Sequence, residues 1–127
     1  MRYQRYEDWT ALAGRLLIAA LFVAGFVQKL TDPAPAAALL TGAGLPGWLV
    51  WPAALFNLGA ALAVILGLWL RPVALMLALY CIVTSYFHLI PDDPWQMSIF
   101  VKNWAIAGGC LVLSALGGGR LVLRRGA

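Results

Sequence analysis

Four runs of predominantly apolar residues, at about 9–30, 48–70, 72–90 and 98–116, occupy most of this 127-residue chain and constrain its fold more than any other feature. Crossing the hydrocarbon layer of a bilayer as a helix takes roughly 20 apolar residues, and each run has that length. A helix satisfies its own backbone hydrogen bonds without water, so isolated runs of this kind in lipid are helical. Hydrophobic side chains make up 63% of the chain and charged ones 11%, and the mean hydropathy is +0.86. A water-soluble domain of this size has too little polar surface to cover such a composition. The expected fold is an all-α membrane protein, one domain over 1–127 built as an antiparallel four-transmembrane-helix bundle, with no length left for a soluble catalytic domain.

Helix breakers punctuate the runs. Thr31-Asp32-Pro33 ends the first, because proline has no N–H to donate and pushes the residue before it out of the helical region. Residues 35–41 are rich in alanine and leucine and lie ahead of Gly42-Ala43-Gly44-Leu45-Pro46-Gly47, which predicts a short interfacial helix that does not span. Pro52 falls in the first turn of the second run, where a missing N–H costs little. Arg71-Pro72 reads as a tight turn before the third run, Pro91-Asp92-Asp93-Pro94 as the turn before the fourth, and Gly117-Gly118-Gly119 as its end. The first run follows Arg2 and Arg5 and precedes Ala34-Pro35-Ala36, a pattern shared with cleaved signal peptides. Arg15 and Lys29 interrupt it, so it is read as a retained helix.

The net charge of +4 would suggest nucleic acid in a soluble protein, but these basic residues stand at helix ends, where orientation and anionic headgroups account for them, and no nucleic-acid partner is expected. Arg2, Arg5, Arg71, Arg120, Arg124 and Arg125 share one side against Lys29 and Lys102 on the other, which predicts cytoplasmic N and C termini. Trp9 and Trp69 then fall at the inner boundary and Trp48, Trp51, Trp95 and Trp104 near the outer one, as amphipathic rings at headgroup depth should.

Polar groups inside a membrane need a partner or a purpose. Two readings stand for Arg15: its stem snorkels to the inner headgroups, or it is buried and hydrogen-bonds another helix or a ligand carbonyl. Lys29, at 100° per residue, lies within about 40° of the same face of the first helix. Tyr80, Thr84 and His88 recur every four residues in the third run as a polar stripe facing the bundle interior, either for interhelical hydrogen bonds or as part of a site for a lipid-soluble redox molecule. Asn57 lies near mid-depth in the second run. Lys102-Asn103 opens the fourth, so that Lys29, His88, Lys102 and Asn103 fall at similar depth near the outer face. That convergence is the best candidate site; its alternative is that the two lysines are interface anchors paired with Asp32, Asp92 or Asp93.

Gly59, Ala63 and Gly67, and Ala105 with Gly109, are small residues at four-residue spacing, read as ordinary bundle packing. Cys81 and Cys110 sit in apolar runs outside any ligand spacing and read as buried thiols, and no metal site is expected. A lone histidine does not ligate a b-type haem on both faces, and no nucleophile elbow or phosphate-binding loop occurs. Redox chemistry, if the chain takes part in it, would draw on a diffusible quinone or a cofactor in another subunit, and the chain is not expected to be catalytic alone.

Gly14-Arg15-Leu16-Leu17, then Ala24-Gly25-Phe26-Val27-Gln28-Lys29-Leu30, Gly67-Leu68 with Arg71, and Lys102-Asn103 before Gly108-Gly109 together resemble the DoxX family of small four-helix bacterial membrane proteins, over nearly the whole chain. The resemblance implies a multi-pass protein of the bacterial inner membrane, associated with quinone-linked redox chemistry and with a redox or other membrane complex as protein partner. Relatives include a subunit of a thiosulfate:quinone oxidoreductase. More distant ones act as assembly factors, so a non-catalytic scaffold is the alternative. Members commonly carry glutamate where this chain has Asn57, which removes a carboxylate from that position. The cofactor expected is quinone, with Arg15, Lys29, Asn57, Tyr80, Thr84, His88, Lys102 and Asn103 as its candidate contacts.

Overall fold

The computed structural model describes residues 2–123, with side chains from residue 5 onward. Arg124, Arg125 and the side chain of Arg2, which enter the charge count above, lie outside the described residues. Five α-helices are present among the described residues, α1 (Arg2–Thr31), α2 (Ala34–Gly42), α3 (Val50–Leu66), α4 (Leu70–Ser85) and α5 (Pro94–Leu116), with single 3-10 turns at Gly47–Leu49 and Tyr86–His88, and no strand occurs among them. Four helical stretches are long and apolar enough to cross a membrane: Arg5–Thr31, Gly47–Leu66, Leu70–His88 and Pro94–Leu116. The short helix expected over 35–41 is α2.

The local chemistry explains the ends. α1 stops two residues before Pro33, and Pro35 sits in the first turn of α2. α2 closes on Gly44 in the left-handed region (φ 81°), whose N–H reaches Thr41 O at 3.0 Å while Leu45 N–H reaches Leu40 O at 2.9 Å. Asp93 caps α5 by accepting the N–H groups of Trp95 and Gln96 at 3.0 and 3.3 Å, and Pro94 takes the first helical position. The fourth span therefore starts at Pro94, earlier than residue 98, because the cap and the proline begin the helix inside what reads as a turn.

The second span ends at Leu66, and the turn to α4 is Gly67-Leu68-Trp69, not Arg71-Pro72. Gly67 (φ 75°) and Trp69 (φ 45°) both adopt left-handed backbone, and the N–H groups of Gly67 and Leu68 both bond Ala63 O, at 2.8 and 2.9 Å. Pro72 is the third residue of α4, where its missing N–H is one that the first turn leaves unpaired in any case.

α1 packs along α3, α4 along α5, and α3 meets α4 between the pairs. Every span puts a buried alanine at the centre: Ala19, Ala60 and Ala61, Ala74 and Ala78, and Ala107. Small side chains let helix backbones approach closely in lipid, where no hydrophobic effect drives helices together. Of the two small-residue sets, Gly109 of the fourth span touches Ile18 of α1, while in the second span nothing lies within 4 Å of a Cβ built on Gly59 and Gly67 is a helix terminator. Leu17, Leu55, Leu79 and Val112 are exposed, as the lipid-facing sides of spans should be.

Candidate functional site

Two polar clusters occupy this apolar bundle, one near each end. The first is built on Arg15, which is 1% exposed. Its Nε donates to Val64 O at 3.0 Å, one terminal nitrogen to Ile65 O at 2.9 Å, and the other to Gly118 O and Leu121 O at 3.2 and 2.7 Å. The acceptors are carbonyls that the last turn of α3 and the segment after α5 leave without helical partners, and a cation at a helix C-terminus also meets the negative end of its dipole. Arg15 thus does not snorkel. Its hydrogen bonds go to the protein's own backbone, and it lies away from the cavity described next.

The segment after α5 folds across this end of the bundle. Leu123 N–H bonds Leu66 O and Arg120 N–H bonds the Asp8 carboxylate, both at 2.9 Å. A Cβ on Gly118 would fall 2.0 Å from Leu70 Cδ2 and 3.0 Å from Arg15 Cδ, so the glycine is what admits the guanidinium beneath the segment. Ser114 Oγ donates to Arg71 O at 2.9 Å, which ties the end of α5 to the start of α4.

The second cluster lines a cavity of about 430 Å³ at the other end. α1 contributes Phe22, Gly25 and Lys29, α2 contributes Pro35 and Leu39, α3 contributes Ala53 and Asn57, α4 contributes Tyr80 and Thr84, the following 3-10 turn contributes Phe87 and His88, and α5 contributes Gln96 and Asn103. Asn57 is 2% exposed, and its Oδ1 accepts the Tyr80 hydroxyl at 3.5 Å. Thr84 donates to Tyr80 O of its own helix at 2.7 Å. His88 Nδ1 lies 2.6 Å from Gln96 Oε1. That oxygen only accepts, so Nδ1 is the donor of this pair. Of the polar stripe, then, Tyr80 and His88 bond across helices and Thr84 does not. Phe56 and Phe22 stack about the Tyr80 ring with centroids at 5.0 and 6.3 Å. Beyond Tyr80 and Asn57 the bundle closes on Ala61, Val64, Leu77 and Ala78, all fully buried.

Six of the eight candidate residues, Lys29, Asn57, Tyr80, Thr84, His88 and Asn103, line this one cavity; Arg15 and Lys102 do not. Lys102 is exposed beside Asn103 on α5, because adjacent helical residues point about 100° apart. Asp93 caps α5, and no lysine among the described residues pairs with a carboxylate within 4 Å, so the anchoring ion pairs do not form. Gln96 and the α2 wall were not among the candidates. Placing the start of the fourth span at residue 98 left Gln96 in a loop, and α2 carries only apolar side chains and one threonine. Cys81, which also lines the cavity, and Cys110 are buried free thiols.

Four spans, an all-helical bundle and an interior cavity walled by all of its helices define a small multi-pass membrane protein with a ligand-sized site. The chain belongs to the DoxX family, whose model matches residues 10–89. It is also similar to the inner membrane protein YqjF of Escherichia coli (strain K12), with 29% identity over 123 residues, 96% of this chain and 95% of that protein. No solved structure matches. Together with the four spans, these likenesses make the chain a multi-pass protein of the inner membrane. The family match covers α1 to the end of the third span and leaves Lys102-Asn103 outside it.

Proposed function

We propose that this chain is an inner-membrane subunit of quinone-linked redox chemistry that holds a quinone head group in the cavity, next to a partner that supplies or takes the electrons. One observation carries the reading: Lys29, Asn57, Tyr80 and His88, from separate parts of the chain, converge on a single cavity that aromatic and aliphatic side chains such as Phe22, Phe87, Leu39 and Ile99 also line. A quinone needs donors at its carbonyl oxygens and flat apolar walls on its ring faces, and the cavity's volume is within the usual ~300–1,000 Å³ of small-molecule sites. Lys29 is the donor at the inner end, beside the Asn57 amide, and His88 stands at the mouth as a proton donor or acceptor. In this reading the spans run antiparallel with both termini in the cytoplasm, which puts the cavity in the outer half of the membrane. Arg71 and Arg120 at the end that carries the termini support that orientation.

Mass spectrometry of molecules retained after gentle extraction at native expression level tests the proposal. Quinone is expected at near-stoichiometric amounts in the wild type and at several-fold lower amounts in Lys29→Met and in Asn57→Leu. Absence of quinone, with no thermal stabilisation by quinone analogues, would remove it.

A further inference from the structure

We propose that Lys29 makes the cavity selective for the anionic form of its ligand, seating a negatively charged ring oxygen against its ammonium beside the space left by Gly25. The inference rests on the quinone reading and adds the charge state that the site prefers.

Lys29 lies in the last turn of α1. Side chains on a helix lean toward its N-terminus, so a lysine at the C-terminal end of a span runs back into the bilayer unless it is drawn outward. Here it does run back. Its Nζ stands 3.7 Å from the point that a Gly25 Cβ would occupy, a full turn deeper than its own backbone, and Asn57 Oδ1 stands 3.8 Å from the same point. Lys29 is half-buried, and no carboxylate among the described residues lies within 4 Å of it; Asp32 lines the same cavity without pairing to it. A desolvated ammonium without a counter-ion is costly, and an anion supplied by a ligand offsets that cost.

The Tyr80 hydroxyl spends its proton on Asn57 Oδ1. Thr84 spends its proton on Tyr80 O. The charged donor at the inner end of the cavity is therefore the Lys29 ammonium. A neutral carbonyl oxygen accepts from the ammonium too, but an ionised oxygen pairs charge with charge and bonds it more strongly. With a quinone the species favoured is one whose ring hydroxyl has lost its proton.

The test compares a hydroxynaphthoquinone, ionised at neutral pH, with its uncharged methyl ether, titrated against purified protein in neutral detergent so that anionic lipid does not compete. The expected result is about tenfold or greater preference for the ionised ring in the wild type. That preference falls to near unity in Lys29→Met and is partly kept in Lys29→Arg, with thermal unfolding showing that both variants are folded. Gly25→Ala, whose methyl group fits at ordinary contact distance but takes up the space between the two polar groups, weakens both ligands. Equal affinity for the two rings in the wild type, or a preference that survives Lys29→Met, overturns the inference and leaves the quinone site standing. If neither ring binds, the quinone reading falls and the inference with it.

Discussion

Arg15 and Lys29 share one face of α1, and the fold gives them different work. Both are long cations that the sequence puts inside an apolar run, and spacing alone allows either to be an interface anchor. Arg15 instead has backbone carbonyls from two distant segments within reach of a planar fork, and one guanidinium bonds four of them. Replacing it with methionine leaves these buried acceptors without donors and is expected to destabilise the protein by about 3 kcal/mol or more. Arg15→Lys, which keeps the charge but not the fork, should lose less. Thermal unfolding in detergent measures both, while ligand affinity of the folded fraction stays near the wild-type value, because Arg15 lies roughly 21 Å along α1 from Lys29 at 1.5 Å per residue. The acceptors of Arg15 were hidden from the sequence because they are main-chain carbonyls, present at every position and therefore marked by no residue type. Asn57, Tyr80 and His88 were legible because each is a polar side chain in an apolar run.

At the scale of elements, the turn between α3 and α4 shows how a strong local signal is displaced. Arg71-Pro72 carries the chemistry of a turn, yet a proline is equally at home in the first turn of a helix, and Gly67 offers a better exit because it takes up φ 75° without a side-chain penalty. A Cβ there would also fall 2.5 Å from Val122 Cβ. Gly67→Ala should therefore cost about 1–2 kcal/mol from the left-handed backbone alone, and more from the contact with Val122. Gly59→Ala, with open space around its Cβ, should be neutral or stabilising by up to about 1 kcal/mol through helix propensity. The unfolding midpoint should thus fall in Gly67→Ala and stay or rise in Gly59→Ala, although both glycines belong to the same four-residue pattern. α2 makes the same point for the site. Its composition announces a helix, and only packing turns Pro35 and Leu39 into a cavity wall.

For the molecule as a whole, the two ends of the bundle are unlike. One end is closed by Arg15, the Asp8 carboxylate and the folded-back segment through Leu123, while the other end holds a cavity that stops at the packed alanine core. Charge distribution predicts which end faces the cytoplasm: a C-terminal fluorescent-protein fusion should fluoresce, and a C-terminal alkaline phosphatase fusion should be inactive. The opposite pair of results would place the cavity on the cytoplasmic side.

The sequence by itself determined the medium, the class and the number of spans, because a 20-residue apolar run in lipid has few alternatives to a helix. Family membership was legible as well, in Gly14-Arg15, Gly25-Phe26-Val27-Gln28-Lys29 and Gly67-Leu68, which lie inside the matched residues. Only the tertiary structure decided which polar residues meet. It separated Lys102 from Asn103, recruited Gln96 to His88, sent Arg15 to the backbone and turned Lys29 inward. Span formation is settled by transfer of a local segment into lipid, whereas these pairings depend on the rotation of each helix about its axis. That rotation is set by how alanines and aromatic rings from all four spans fit together at once.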